Sequence, residues 1–416
     1  MAHDRLRPCS IRGVRRELAS GSECPIFNPR ILDIALDFES MIKKPLIQSF
    51  PGGVPIVVID AIDECRSEGS MAGQRKMFID SLTAWASLPR RCKLIVTGRN
   101  DRIPETFGAV CRQVTLLTGA DVNDHVNEDI RLFFKIRFAA FGQCLDSEML
   151  RTERVFERLT TRAAGLFIWA NTVVRFIDEG IHEERLERVL NGSMGSGDDL
   201  TKLYQQILQS SFPKPDGYTM SVFHHVVGAV IHSKVPLHED DLPHFTSERK
   251  SLVKSILSKL STVLSTTADG RIRISHLSFS EFICDRSQCP APFYIDQPTT
   301  NEQLTMACFR VMRQNLKFNI CELESSYVRN DEVKDLAQRI KTRIGDSLLY
   351  ACRFWAAHLQ DVMANGYDRN ALTGKLQDFF YTRFLFWLEV MSLAGEVIAA
   401  NVLLLTIAPF IAVCDS

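Results

Sequence analysis

Acidic side chains follow an uninterrupted β-branched run. Residues 56–59 read Ile-Val-Val-Ile, and Asp60, Asp63 and Glu64 come directly after them. An unbroken run of this kind predicts a parallel strand that is buried on both faces. Ligands of such sheets bind at the carboxyl ends of the strands, where carboxylates can hold Mg²⁺ or act as a base toward water. The pattern predicts a nucleotide–magnesium site. A buried strand with a solvated polar exit is the alternative.

A second short apolar run ends in a basic residue. Residues 93–99 read Lys-Leu-Ile-Val-Thr-Gly-Arg, and residues at helical spacing lie between the two runs. The order strand, acids, helix, strand, arginine is that of consecutive units in a P-loop-type sheet. Arg99 at the end of the second strand is placed to contact a terminal phosphate. A helix-capping or surface arginine is the alternative.

These two segments resemble a known family. Residues 56–65 and 94–99 resemble the Walker B and sensor segments of NACHT-type signal-transduction NTPases (STAND NTPases), in the form common in filamentous fungi, which carries a nephrocystin-like N-terminal module. The resemblance implies that Asp60 holds Mg²⁺ through water, that Asp63 and Glu64 order the metal or the attacking water, and that Arg99 senses the terminal phosphate.

Later segments match the same family in order. Gly165 and Leu166, with the apolar run after them, resemble the helix start that borders the adenine. Residues 276–282 resemble the winged-helix segment in which a histidine, here His276, contacts the β-phosphate of bound ADP. Residues 350–359 and 386–389 resemble the helical segments that follow in the family, so the resemblance covers nearly the whole chain. The cofactor it implies is Mg²⁺ with ATP and ADP, or with GTP and GDP.

One segment of the family is missing. The phosphate-binding pattern G-x-x-x-x-G-K-[ST] occurs nowhere in the 416 residues, and the Gly-rich stretch 192–197 is followed by two aspartates. Acids there would repel phosphate. In the family the phosphate-binding loop lies upstream of Walker B, so we expect this sequence to begin after it. Without the loop and its lysine, nucleotide affinity should be severely reduced and turnover by this chain alone absent.

Composition narrows the function classes. The net charge of −1 gives no overall attraction to nucleic acid or anionic lipid. The apolar content of 45% is typical of a globular protein. Twelve scattered cysteines form no C-x-x-C pair, which predicts reduced thiols and a cytoplasmic location. The basic N-terminus lacks the apolar core of a signal peptide.

A hairpin signal stands in the middle of the chain. Residues 262–275 form two short runs around Asp269-Gly270, and helical patterns precede them. Three helices and a two-stranded wing describe a winged helix, and DNA binding through Lys250 and Lys254 on the helix 248–260 is one interpretation. The acidic triplet 239–241 would weaken contacts with phosphate, so we expect no nucleic-acid partner.

We therefore expect an α/β segment followed by a mostly helical chain. The predicted units are a partial P-loop nucleotide domain with a parallel sheet (1–120), a helical lid (121–198), a winged helix (199–290) and a helical scaffold (291–416). The expected role is an intracellular signalling or scaffold module, switched by nucleotide, with protein partners that include further copies of itself. The alternative is a non-enzymatic interaction module. The uncharged stretch 397–414 is near the lower length limit of a membrane span, but a core helix is favoured.

Overall fold

A computed structural model of the chain describes residues 56–62, 72–87, 93–99, 110–115, 122–141, 153–191, 199–325, 327–364 and 370–414, together with positions 38, 43, 44, 107 and 118. Helices dominate this part of the chain and the sheets are small. The expectation of a mostly helical fold after a short α/β segment is confirmed at that level.

The elements follow one another in a simple order. The α/β segment has β1 (Ile56–Ile59), α1 (Ala72–Thr83) with a 3-10 turn at Ala84–Ser87, and β2 (Lys93–Val96). The next four helices are α2 (Asp124–Ala139), α3 (Glu153–Ala163), α4 (Phe167–Asp178) and α5 (His182–Asn191). The middle of the chain has α6 (Asp199–Ser211), α7 (Gly217–His232), α8 (Leu242–Thr246), α9 (Lys250–Lys259), β3 (Leu264–Thr266), β4 (Ile272–Ile274) and α10 (Leu277–Ile283). The last helices are α11 (Gln297–Asn315), α12 (Leu336–Arg343), α13 (Gly345–Ala364), α14 (Asn370–Thr382), α15 (Phe384–Leu393) and α16 (Val397–Cys414).

The first sheet pairs β1 with β2 in parallel, as predicted, with Ile56 opposite Lys93. Successive side chains of a strand point to opposite faces, and one face packs on the side of α1. The prediction of a strand buried on both faces is wrong for the described residues, because the other face is exposed: Ile56 by 59%, Val58 by 61% and Ile95 by 50%. Residues 110–115, farther along the chain, form no strand.

Buried side chains fall into two clusters. The smaller one lies under the sheet and includes Ile62, Ile79, Leu82, Trp85 and Phe107. The larger one is a single cluster of side chains in contact, with members from Ile130 to Ile407. The described helices from α2 to α16 therefore share one core. We call this part the helical body.

Two arginines of α3 close the carboxyl end of α5 in the body. Arg162, itself buried, donates to the carbonyl of Val189, and Arg158 Nη2 donates to the carbonyl of Leu190 at 2.7 Å. The last four carbonyls of a helix have no partner within it, so these two side chains from α3 complete α5. Burial lowers the pKa of Arg162, whose guanidinium also lies over the ring of Trp169.

The middle of the chain has the predicted order of three helices and a hairpin. Strand β3 pairs with β4 in antiparallel register, and Ile272 N donates to the carbonyl of Leu237 at 2.9 Å, which adds the segment after α7 to the hairpin edge. Gly270 in the turn has φ +80, and a Cβ there would lie 2.3 Å from His238 Nε2. The backbone conformation therefore requires glycine, and a Cβ would in addition force the His238 ring to move.

Helix α4 is tied to the hairpin by one side chain. Arg175 Nη1 donates to Ser275 Oγ at 2.6 Å, and its Nη2 donates to the carbonyls of Ser261 and Leu264. These acceptors lie before β3, at its first residue and directly after β4, which is the open end of the hairpin. The arginine therefore holds this end of the hairpin against α4.

A buried chain of hydrogen bonds joins α7, α11 and α13. The backbone N–H of Lys234 donates to Tyr350 Oη at 3.0 Å, and Tyr350 lies 2.8 Å from His358 Nε2. Nδ1 of His358 lies 3.0 Å from Asn301 Oδ1, and the Asn301 amide donates to the carbonyl of Gln297. The amide oxygen can only accept, so His358 carries its proton on Nδ1 and accepts from the tyrosine. With this tautomer the hydrogen bonds form two consistent sets: the Tyr350 hydroxyl accepts from Lys234 N–H and donates to His358 Nε2, and His358 Nδ1 donates to Asn301 Oδ1.

The helices α7 and α11 also approach each other closely. A Cβ on Gly228 would lie 2.9 Å from Thr300 Cγ2. The glycine therefore lets the two helix backbones come together beside the hydrogen-bond chain.

The last helices pack around two buried indoles. Trp387 Nε1 donates to the carbonyl of Cys352 at 2.9 Å, and the rings of Trp355 and Trp387 meet edge to face. Arg353 forms an ion pair with the buried Glu396 at the start of α16. No helix in the described part of the chain is long and apolar enough to cross a membrane.

Replacing Tyr350 with Phe should destabilise the protein by about 1–3 kcal/mol, because the Lys234 N–H and the His358 ring nitrogen would lose their partner inside the core. Tyr381→Phe is the matched control, since Tyr381 is 88% exposed. Urea unfolding of both variants measures the difference. Equal midpoints for the two variants would contradict the role of the buried chain.

Replacing Gly270 with Ala should cost more than about 1 kcal/mol, because an L-residue is strained at this φ and its Cβ would clash with His238. Gly374→Ala in α14 should instead stabilise the protein by about 0.5–1 kcal/mol, since nothing lies within 4 Å of that Cβ and alanine favours helix. Thermal unfolding compares them, and shifts of the same sign would contradict the analysis.

Candidate functional site

The carboxyl ends of β1 and β2 form a small polar edge. Thr97 Oγ1 donates to Asp60 Oδ1 and accepts from the backbone N–H of Ala61 at 2.9 Å. The backbone N–H of Thr97 donates to the carbonyl of Ile59 at the end of β1, and its carbonyl accepts from the N–H of Ile62 in the turn that follows. Ala61 takes a positive φ of 53, which turns the chain sharply after the strand. The Asp60 carboxylate is therefore exposed and fixed at the sheet edge where ligands of parallel sheets bind.

The two candidate catalytic acids, Asp63 and Glu64, lie outside the described residues. Their predicted roles toward metal or water stay predictions. Among the residues that the structure does describe, no group of three or more His, Cys, Asp and Glu could hold a metal ion. A single carboxylate such as Asp60 still suits Mg²⁺, which keeps several waters and is usually bound through one or two carboxylates and the phosphates of its ligand.

Arg99 follows β2 at the same edge and reaches the helical body. Its Nη2 lies 2.7 Å from Glu281 Oε2, a residue 182 positions away on α10. Each side chain is 40% exposed. The predicted phosphate-contacting arginine is thus engaged by a carboxylate.

His276 lies just before α10, and its hydrogen bonds indicate which ring nitrogen carries the proton. Its Nδ1 accepts from the backbone N–H of Ser278 at 3.1 Å and lies 2.7 Å from Ser278 Oγ. Because Nδ1 accepts, the neutral ring carries its proton on Nε2 and can donate from there. Tyr204 Oη lies 2.8 Å from Ser278 Oγ, so the two hydroxyls pass hydrogen bonds toward the ring from Tyr204 through Ser278. Burial raises the pKa of Tyr204, which keeps that donor protonated.

Gly165 and Leu166 form the turn between α3 and α4. Gly165 has a positive φ of 81, and Leu166 N donates to the carbonyl of Ala163 at 2.7 Å. Leu166 caps α4 without a side-chain hydrogen bond, and the following Phe167 is 46% exposed. The pattern of a glycine-opened helix is present, while a role beside a base stays a prediction.

The structure brings some of the predicted residues together. Asp60 and Arg99 share the sheet edge, and Glu281 places α10, the helix that begins after His276, beside that edge. Sequence reasoning missed four supporting residues: Thr97, Tyr204, Ser278 and Glu281. Only the partner of His276 had a local signal, because Ser278 stands two positions after it, a spacing common for polar side chains that bond to nearby backbone.

The cysteines near α10 are thiols in a packed environment. Cys284 Sγ lies 3.8 Å from His232 Nε2, and Cys289 Sγ donates to the carbonyl of Pro290 at 3.6 Å. Burial raises the pKa of Cys284 to about 11 and that of Cys289 to about 12. Metal ligation needs thiolates, so these raised values favour core packing over a metal site.

The lysines of α9 are paired with acids. Lys250 Nζ lies 2.6 Å from Asp240 Oδ1, and Lys254 Nζ lies 3.6 Å from Glu239 Oε1. The hydrogen bond from Lys250 lowers the pKa of Asp240. The acidic triplet therefore neutralises the charge that a DNA-binding helix would present.

Comparisons with known proteins return nothing: no family model, no curated protein and no solved structure matches this chain. The resemblance to NACHT-type NTPases therefore stays a prediction that depends on the residues quoted for it.

The thiols of Cys284 and Cys289 should react slowly with iodoacetamide at pH 8, at least about tenfold more slowly than the exposed Cys111, because little thiolate forms when the pKa is raised. Peptide mass spectrometry measures the rates, and the chain in urea is the control.

The same raised pKa values determine the direction in which the free energy of unfolding changes with pH. The unfolded thiols ionise near pH 9 and the folded ones near 11 to 12, so the free energy of unfolding should fall as the pH rises above 9. Equal labelling of all three cysteines in the folded chain would contradict both expectations.

Proposed function

We propose that this chain is the switch part of a nucleotide-regulated signalling NTPase of the NACHT type. The observation that carries the proposal is the ion pair between Arg99 and Glu281. The pair joins the carboxyl edge of the parallel sheet to the helix that follows His276. A ligand site shared by a nucleotide domain and a winged helix would need these two parts to be adjacent. Residues far apart in sequence meet where the family resemblance expects a ligand.

The proposed roles are those that the family resemblance implies, and the contacts of the described residues support some of them. Asp60, held by the Thr97 hydroxyl, would bind Mg²⁺ through water, and the metal would neutralise charge on the phosphates. Arg99 would contact the terminal phosphate. His276 would donate from Nε2 to the β-phosphate, with Ser278 and Tyr204 holding the ring. Gly165 and Leu166 would border the base, and Asp63 and Glu64 would act on the metal or the attacking water.

We expect binding without turnover. The sequence contains no G-x-x-x-x-G-K-[ST] loop, and the backbone N–H groups and lysine of such a loop supply most phosphate contacts. The chain would then report the nucleotide state through the position of its domains rather than consume nucleotide. Its free cysteines, including Cys111 and Cys308, fit a reducing, cytoplasmic setting.

A non-enzymatic interaction module is the second candidate. Exposed apolar side chains near the end of the chain favour it: Tyr381 is 88% exposed, Leu385 74% and Leu405 65%. Large exposed apolar side chains mark protein contacts when they form a patch. Protein partners or further copies of the chain fit both candidates. The paired lysines of α9 make a DNA-binding winged helix the weakest interpretation.

Saturating Mg-ADP should stabilise the folded chain, by about 2.7 kcal/mol at 100 times the dissociation constant. His276→Ala should remove most of this gain, because it deletes the donor to the β-phosphate. His125→Ala is the matched control, since His125 has a side chain that is 93% exposed on α2. Thermal unfolding with and without ligand measures each gain.

Two results would reject the proposal. One is a cooperatively folded chain that millimolar Mg-ADP does not stabilise, which would leave the interaction module as the better account. The other is a stabilisation that both histidine variants retain equally, because the nucleotide would then bind elsewhere.

A further inference from the structure

Two separately packed parts of the molecule meet at Arg99 and Glu281. The α/β segment has its own small core under the sheet, and the helical body has a second, continuous core. Units that pack separately move relative to each other unless a large apolar interface holds them. The ion pair crosses from one to the other, so its state bears on how the two parts sit together.

The pair is strong enough to bias this arrangement and weak enough to be replaced. The two side chains are each 40% exposed, and solvent screens an ion pair of that kind. Such a pair changes an equilibrium constant by about fivefold at most. A ligand that offers Arg99 a better partner can therefore displace the carboxylate.

The position of Arg99 makes anions the competing partner. It follows Thr97 by two residues, and Thr97 holds the exposed Asp60 at the ligand-binding edge of the sheet. Guanidinium groups bind phosphate oxygens in the same forked geometry as carboxylates. A phosphate that reaches Arg99 would also be repelled by Glu281, because both carry negative charge.

We propose that Glu281 is a latch that competes with the terminal phosphate of a nucleoside triphosphate for Arg99. The latch rests on the proposed nucleotide site. A diphosphate that stops short of Arg99 leaves the ion pair intact and is compatible with the closed arrangement. A triphosphate takes Arg99, leaves Glu281 facing a like charge, and drives α10 away from the sheet edge.

The rest of α10 carries this displacement to the body. Ser278, on the same helix as Glu281, is hydrogen-bonded to Tyr204 of α6, and Phe279 packs against the Tyr204 ring at 5.2 Å. The helix is therefore anchored to the body at its first turn. Release of Glu281 frees the α/β segment from the body rather than freeing α10 from its neighbours.

The test compares ATP and ADP binding to the full chain and to Glu281→Gln by calorimetry. Removing the competing charge should tighten Mg-ATP binding about threefold to fivefold and change Mg-ADP binding less than about twofold. Glu184→Gln is the matched control. It removes the same charge from an exposed surface pair with Arg188 that lies within α5. Neither affinity should change in that variant.

A second variant checks the pair itself. The exchanged variant Arg99→Glu/Glu281→Arg should keep the two parts joined, because the ion pair is restored with its charges reversed. The same variant should bind Mg-ATP more than about fivefold more weakly, because it places an acid at the sheet edge. Amide hydrogen exchange without nucleotide should be about twofold to fivefold faster at residues 93–99 and 277–283 in Glu281→Gln. It should be close to the wild-type rate in the exchanged variant.

The outcomes separate the latch from the proposed function. If wild type binds both nucleotides and Glu281→Gln changes both affinities by the same factor, the latch is overturned and the nucleotide site stands. Unchanged hydrogen exchange in Glu281→Gln also overturns the latch. If neither nucleotide binds wild type or variant, the proposed function fails and the latch falls with it.

Discussion

The buried hydrogen bonds from Lys234 through Tyr350 and His358 to Asn301 determine how the helical body is arranged. In a medium of low polarity each of these groups must find its partner, so a shift of α7, α11 or α13 that separates two of them leaves a buried polar group unpaired. Lys234 follows the end of α7 by two residues, and the chain continues from it directly into the segment that pairs with the hairpin through Leu237. The hairpin in turn leads to His276 and α10. The position of the candidate site on the body side therefore depends on polar groups that lie far from it.

The contact between the body and the α/β segment has the opposite character. Arg99 and Glu281 are exposed to solvent, and the two hydrophobic clusters on either side of them remain separate. An uncompensated loss in the buried chain is costly, whereas the loss of an exposed ion pair costs at most about 1 kcal/mol. Among the described residues, the molecule thus combines a firmly determined body with a sheet that meets it through an exposed ion pair. A protein that reports the state of a ligand through the placement of its parts needs this combination.

Local patterns allowed much of the fold to be predicted. The Asp269-Gly270 turn and the strands β1 and β2 follow from residue order, because each depends on neighbours a few positions away. Burial of β1 on both faces was wrong, since an apolar run does not say which faces have partners. The Glu281 partner of Arg99 and the buried role of His358 could not be predicted, because both arise from contacts between distant segments. Thr97 was quoted only as part of a strand end, and its hold on Asp60 needed the register of the two strands.

Gly228 has a mechanical consequence. Helices usually adjust to a signal by sliding past one another in small steps, which requires side chains that can change neighbours along a groove. Between α7 and α11 the Thr300 side chain occupies the space of a missing Cβ on Gly228, so a slide of one helix along the other would have to move this side chain out of that space. This contact favours α7 and α11 moving together as one unit. A ligand-driven movement of the kind proposed above would then displace the two helices as a pair rather than past each other.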